Sequence, residues 1–274
     1  MKKKLMILFL IIVTIVCILL GINVRYNNRI KITQLGNESN GYIIETAENH
    51  LIIIDGGTKE NADYIVDIIK EKGNPPIIGW YLTSILPEYS GALAEMINND
   101  VDVDISNIFV SFITDENWYK NSNVTERQMS EIENIKKTVL YGKYSEIIRP
   151  MERRAEYQME NYYITPLEIK EEVTYKNIEE QNVVLKITNG FENVLFLGKL
   201  SENRAKNFLT SNQDQFKNIS AIQIAGNEMN DTVKEIIDMT KPEKIFTSEK
   251  MEFNWINVEQ IYKSKDKNNF VEIW

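Results

Sequence analysis

Apolar residues along this chain recur in two periods, and the switch between them marks the elements. From Ile30 onward, short apolar runs at Ile30 to Leu35, Gly41 to Thr46 and His50 to Ile54 read as consecutive strands, the last closing on Asp55-Gly56-Gly57. Asn61 then opens a segment in which Ala62, Ile65, Val66, Ile68 and Ile69 share one helical face, and Gly73 with Pro75-Pro76 ends it. Ile77 to Leu82 returns to strand. A helix over 90–98 turns Leu93, Met96 and Ile97 inward, and Ile105 to Ile113 is a further strand, giving the order β-β-β-α-β-α-β.

Thr125 and Gln128, three apart, form a capping box at the head of a helix carrying Met129, Ile132, Ile135 and Val139. The stretch 140–180 is charged and short-stranded and reads as part of an insert spanning 116–180. The first pattern then recurs: strands at Val183 to Thr188 and Val194 to Leu197, a helix at Ser201 to Leu209, a strand at Ala221 to Ile224, a helix at Asp231 to Met239 and a strand at Ile245 to Thr247. Two such halves, each with its strands inside, predict an α/β fold layered as an αββα sandwich. With no short-period repeat and no Gly/Ser-rich linker, residues 30–274 are expected to form one domain.

Ahead of this body, Lys2, Lys3 and Lys4 precede an apolar run from Leu5 to Ile22, broken only by Thr14 and Gly21. Its length is close to the ~20 residues that cross a bilayer as a helix. The expectation is a single N-terminal transmembrane helix and an uncleaved anchor over 1–29, meeting the membrane through residues 5–22. The lysine cluster places the amino terminus in the cytoplasm and the main domain outside it, at the cell membrane. A cleaved signal would have a shorter apolar core and a small-x-small site, which is missing near Gly21. Cys17 inside the run reads as an apolar membrane residue. The Asn-x-Ser/Thr triplets at Asn37, Asn123, Asn218 and Asn230 are chance matches in so Asn-rich a chain.

Charge and composition then narrow the chemistry. The 274 residues carry 31 Lys plus Arg against 40 Asp plus Glu, a net charge of −9 that repels a phosphate backbone and makes nucleic acid a poor partner. One Cys excludes an intrachain disulfide and a Cys-rich zinc site. The chain also has a single His, the residue type most used as metal ligand and general base.

The run Leu51-Ile52-Ile53-Ile54-Asp55-Gly56-Gly57, followed by a helix, a strand and Leu82-Thr83-Ser84-Ile85-Leu86-Pro87-Glu88-Tyr89-Ser90-Gly91-Ala92-Leu93, resembles the metallo-β-lactamase fold, in particular the branch found in bacterial competence (DNA-uptake) proteins. Val183 to Ile187 and Val194 to Lys199 resemble that family's strand pair ending in Gly-Asp. Lys241-Pro242 with Ile245 to Ser248, and Gln260 to Ser264, resemble its closing segments. The resemblance covers 32–113 and 182–274.

It implies a binuclear metal site whose ligand positions here hold other residues. The family's first His corresponds to Ser84, the second to Leu86, the Asp to Glu88 and the last His of the cluster to Tyr89. Lys199 stands at the bridging Asp, and the late His falls within Ala225-Gly226-Asn227. Zinc needs imidazoles and carboxylates converging around an open position, and Leu86 offers no lone pair. His50 lies on the strand before Asp55, outside that loop. Asp55 is retained, where it shapes the turn. No metal and no other cofactor is therefore expected. A Glu88–Lys199 ion pair is expected to occupy the vacated site.

The resulting expectation is a membrane-anchored, extracytoplasmic pseudoenzyme with a binding or scaffolding role and an envelope protein or glycan as partner. A second reading is a noncanonical hydrolase of phosphoester or cell-envelope substrates built on Asp55, Glu88 and Lys199. A Ser84–Lys199 dyad belongs to the same class. A third is a structural envelope protein that interacts through aromatics of the insert, among Trp118, Tyr119, Tyr141, Tyr144, Tyr157, Tyr162 and Tyr163. Asp102 with Asp104, and Asp115 with Glu116, could in principle serve glycoside hydrolysis or bind calcium, but strand alternation and solvated loops account for them.

Overall fold

A computed structural model describes residues 10–17, 29–36, 39–111, 125–169, 182–226, 229–248, 251, 253, 260–264 and 268–273. Period-2 patterning explains why its strands are buried on both faces. In β2 (Gly41–Glu45) and β3 (Leu51–Asp55), Tyr42, Ile44, Ile52 and Ile54 enter one apolar core while Ile43, Leu51 and Ile53 enter another. A strand with two apolar faces needs a layer on each side. One sheet runs β14-β1-β2-β3-β4-β5-β6, with β1 at Ile30–Gln34, β4 at Ile77–Leu82, β5 at Ile108–Val110, β6 at Ile148–Pro150 and β14 at Asn269–Ile273. The other runs β13-β12-β11-β10-β9-β8-β7, with β7 at Tyr157–Met159, β8 at Tyr162–Glu168, β9 at Val184–Thr188, β10 at Asn193–Gly198, β11 at Ile219–Ile224, β12 at Lys244–Ser248 and β13 at Gln260–Ser264.

The helices cover the outer faces. α1 (Ala62–Glu71), α2 (Pro87–Asn98) and α3 (Glu126–Tyr141) bury Ile65, Ile68, Leu93, Met96, Ile132 and Ile135 against the first sheet. α4 (Glu202–Ser211) and α5 (Asp231–Thr240) bury Phe208, Leu209, Ile236 and Ile237 against the second. Between the sheets, Tyr42 meets Phe196 and Phe246 edge-on at 5.2 and 5.9 Å, and Tyr81 stacks on Phe109 at 4.4 Å. The layering is αββα, as the two-half pattern predicts.

Differences from the expected elements have local causes. α2 starts at Pro87, not Ser90, because proline at the first helical position supplies a ready φ and loses no needed N–H. The strand expected over 105–113 shortens to 108–110, since its outer partner β6 is itself only three residues long. The capping box forms: Thr125 Oγ1 accepts from Gln128 N at 3.3 Å and Gln128 Oε1 accepts from Thr125 N at 3.1 Å. The stretch read as an insert supplies α3, β6, β7 and β8, so it adds strands to both sheets. Among its described aromatics, Tyr162 is buried, Tyr144 and Tyr157 are half-buried against Val103 O and Phe109, and Tyr141 is exposed. Trp118, Tyr119, Asp115 and Glu116 lie outside the described residues.

The N-terminal expectation is corrected. Among the described residues no helix is long and apolar enough to cross a membrane. Residues 1–9 and 18–28 lie outside the described residues. The transmembrane helix, and the placement of the main domain outside the cytoplasm that rested on it, are not supported.

Candidate functional site

Asp55 closes β3 at a left-handed φ of 60°, and Gly56 and Gly57 continue the turn with φ of 155° and 82°. A Cβ on Gly57 would stand 2.5 Å from Asn61 Oδ1 and 2.6 Å from Ser39 Cβ, so only glycine fits there. The turn delivers the Asp55 carboxylate to the end of β4. Thr83 N donates to Oδ1 at 2.7 Å, and Thr83 Oγ1 lies 2.9 Å from both carboxylate oxygens. The Asp55 carbonyl accepts from Trp80 Nε1. Burial raises the Asp55 pKa well above the ordinary carboxylate range, and the Thr83 donors oppose the rise.

The positions expected to surround it fall on the end of β4 and the first turn of α2. Ser84 is buried, and its Oγ accepts from Leu86 N at 3.2 Å, a turn bond. Leu86 and Tyr89 belong to the apolar cluster beneath α1, α2 and α3, together with Ile85 and Ala225. Tyr89 has its phenol pKa raised well above the ordinary value by burial, then by the charges of Glu88 and Asp55 and by Tyr42, with Arg204 opposing. Glu88 is half-buried; burial raises its carboxyl, and its own backbone N–H and the Lys199 ammonium oppose that rise. Lys199 follows β10, and its stem lies beside Gly226, where an added Cβ would meet Lys199 Cδ at 3.5 Å.

The fold thus brings together Asp55 from the end of β3, Glu88 and Tyr89 from the first turn of α2, and Lys199 from the loop after β10. Thr83 O accepting from Val183 N at 2.8 Å joins the sheets at this end. Two further residues that sequence reading passed over belong here. Arg204, buried on α4, donates to the Asn182 carbonyl and, through Nε, to Glu168 Oε1 at 3.1 Å. Gln223 accepts from Gly198 N at 2.9 Å and hydrogen-bonds the Tyr42 phenol, whose pKa burial raises. A polar residue inside the apolar run Ala221-Ile222-Gln223-Ile224 is the signal that could have found Gln223, whereas Arg204 sits in the polar stretch 201–207, where no pattern marks it as buried. Asp102 and Asp104 are exposed while Val101 and Val103 pack inward, the alternation expected of them.

His50 sits elsewhere. It immediately precedes β3, ~16 Å from Asp55 at strand rise, and its Nδ1 contacts Glu160 Oε1 in the β7–β8 turn.

No family model matches the sequence, and no curated protein matches it. Solved structures do. The chain is similar to the metallo-beta-lactamase fold protein YhfI from Bacillus subtilis at 12% identity and a TM-score of 0.52, covering 89% of this chain and 99% of that one. Tm1679, a metal-dependent hydrolase of the beta-lactamase superfamily, matches at 10% identity and a TM-score of 0.51, with the same coverages of 89% and 99%. A mutant of the CmlA beta-hydroxylase matches at 7% identity and a TM-score of 0.56 over 89% of this chain, which spans only 54% of that protein's length. At these identities the likeness establishes the fold: the chain adopts a two-sheet metallo-β-lactamase-like architecture.

Proposed function

We propose that this chain is a metallo-β-lactamase-fold pseudoenzyme, a binding or scaffolding protein that keeps a hydrolase's framework without its metal centre. The observation that carries the reading is the burial of Leu86, Tyr89 and Ala225 in one apolar cluster at the positions where the resemblance puts metal ligands. The residues around them do not fit a divalent cation. Leu86 has no donor atom, the Tyr89 phenol is held protonated, Ser84 Oγ is engaged by a backbone N–H, and Lys199 brings an ammonium. Asp55 spends its carboxylate on Thr83. The Lys199 ammonium attracts the Glu88 carboxyl from beyond contact distance, so the direct Glu88–Lys199 ion pair expected from the sequence does not form, and the ammonium's positive charge still disfavours a cation there. The finer kinship, with the competence-protein branch, is supported by the motifs at 51–57 and 82–93. A protein or a glycan is the class of ligand proposed.

The test is metal content and hydrolysis of a phosphodiester probe, bis(p-nitrophenyl) phosphate, by the purified full chain and its Asp55→Asn and Glu88→Gln variants. The expected result is no hydrolysis above the protein-free rate, with or without added zinc or manganese. Hydrolysis that Asp55→Asn or Glu88→Gln abolishes, or near-stoichiometric metal that either variant releases, overturns the pseudoenzyme and establishes the hydrolase.

A further inference from the structure

The chain's one imidazole is not idle. His50 ends the β2–β3 turn, which two hydrogen bonds hold: Thr46 N donates to His50 O at 2.9 Å, and His50 N donates to the Thr46 side-chain Oγ1 at 3.0 Å. Asn49 within that turn takes a left-handed φ of 61°. Across the interface between the sheets, Glu160 occupies the β7–β8 turn at a φ of 55°, its carbonyl accepting from Gln158 Nε2 at 3.1 Å. Two rigid turns on different sheets therefore aim an imidazole and a carboxylate at each other.

From this arrangement we propose that Glu48, His50 and Glu160 form a divalent-cation site that links the two sheets at the end remote from Asp55. One ligand atom from each lies within 4.8 Å of the others. His50 Nδ1 engages Glu160 Oε1, yet Glu160 Oε2 is buried with no hydrogen-bond partner among the described residues. An imidazole–carboxylate pair alone satisfies one oxygen and leaves the other desolvated, a costly arrangement that a cation relieves. Glu48 is exposed and the His50 side chain is 30% exposed, so solvent reaches the cluster from the Glu48 side.

One nitrogen and two carboxylates suit a borderline cation such as Zn²⁺, with water completing the tetrahedron. The donors have only to converge by side-chain rotation, because Glu48 is free to swing from an exposed turn. The site makes no use of Asp55, Glu88 or Lys199 and stands independently of the pseudoenzyme reading.

Because the chain has a single His, its imidazole nitrogens give one unambiguous set of signals in long-range ¹H–¹⁵N NMR of the full-length protein. Titration with ZnCl₂ is expected to shift that set saturably at one equivalent and to raise the melting temperature. Glu48→Ala, a change at an exposed turn, is expected to weaken zinc affinity by about tenfold or more while leaving the metal-free melting temperature unchanged. Glu160→Gln is expected to abolish the response, and Asp55→Asn to preserve it. An imidazole set unmoved by millimolar zinc, or one that responds equally in Glu48→Ala and Glu160→Gln, overturns the site. Zinc binding lost in Asp55→Asn but kept in Glu48→Ala overturns it too, and moves the cation to the other end of β3.

Discussion

Two carboxyl groups, Asp55 and Glu88, sit where burial raises their pKa, and the sign of that shift has a consequence for stability. A carboxyl that holds its proton more tightly folded than unfolded favours the fold fully below the ordinary carboxylate range of ~4. That contribution is lost as pH rises through the folded-state value. Urea midpoints measured from pH 4 to pH 8 are expected to fall with pH in the native protein and to fall less in Asp55→Asn. Asparagine keeps the Oδ1 acceptor for Thr83 and tolerates a left-handed φ, so the variant is expected to fold. Parallel curves for the two proteins would remove this account of Asp55. The residue's retention was legible from Asp-Gly-Gly at a strand end; its titration was not, because burial is a property of the surrounding layers.

Helix α2 shows where element-level rules reverse. Gly91 lies inside it, and propensity alone gives Gly91→Ala a gain of ~1 kcal/mol. Here the added Cβ would stand 2.8 Å from Lys59 N and 3.1 Å from Thr58 C, backbone atoms that cannot swing aside. The substitution is expected to destabilise by about 1–3 kcal/mol, as overpacking does, in thermal or denaturant unfolding. A stabilised variant would show that the 58–61 turn yields. Gly91 was visible in the sequence only as part of a Ser-Gly-Ala stretch in a helical pattern. What makes it necessary is the turn of chain that crosses α2, where Ala92 N donates to Gly57 O at 3.1 Å.

Over the whole molecule, polar contacts fasten the layers around an apolar interior, Val183 N to Thr83 O and His50 to Glu160 between the sheets and Arg204 within the second layer. Arg204, with a side chain 4% exposed, pairs with Glu168 and reaches the Asn182 carbonyl, fastening α4 to β8 and to the chain entering β9. Arg204→Ala would leave the Glu168 carboxylate buried without its partner, and is expected to cost about 3 kcal/mol in denaturant unfolding. Arg204→Met, which fills the volume but keeps no charge, is expected to lose a similar amount unless Glu168→Gln accompanies it. Equal stability of Arg204→Ala and the native chain would assign this end of the sandwich to apolar packing alone. The sequence by itself determined the order of strands and helices, the αββα layering, the Asp55-Gly56-Gly57 turn and the scarcity of imidazole. Each of these is carried by neighbours a few residues apart or by composition, which periods of 2 and 3.6 expose directly. The apolar run over 5–22 shows the limit of that reading, since among the described residues no helix is long and apolar enough to cross a membrane. Only the tertiary structure decided that residues 126–168 serve both sheets, that Arg204 is buried, and that His50 meets Glu160, because such pairings join positions as far as 110 residues apart that only the packing of layers brings together.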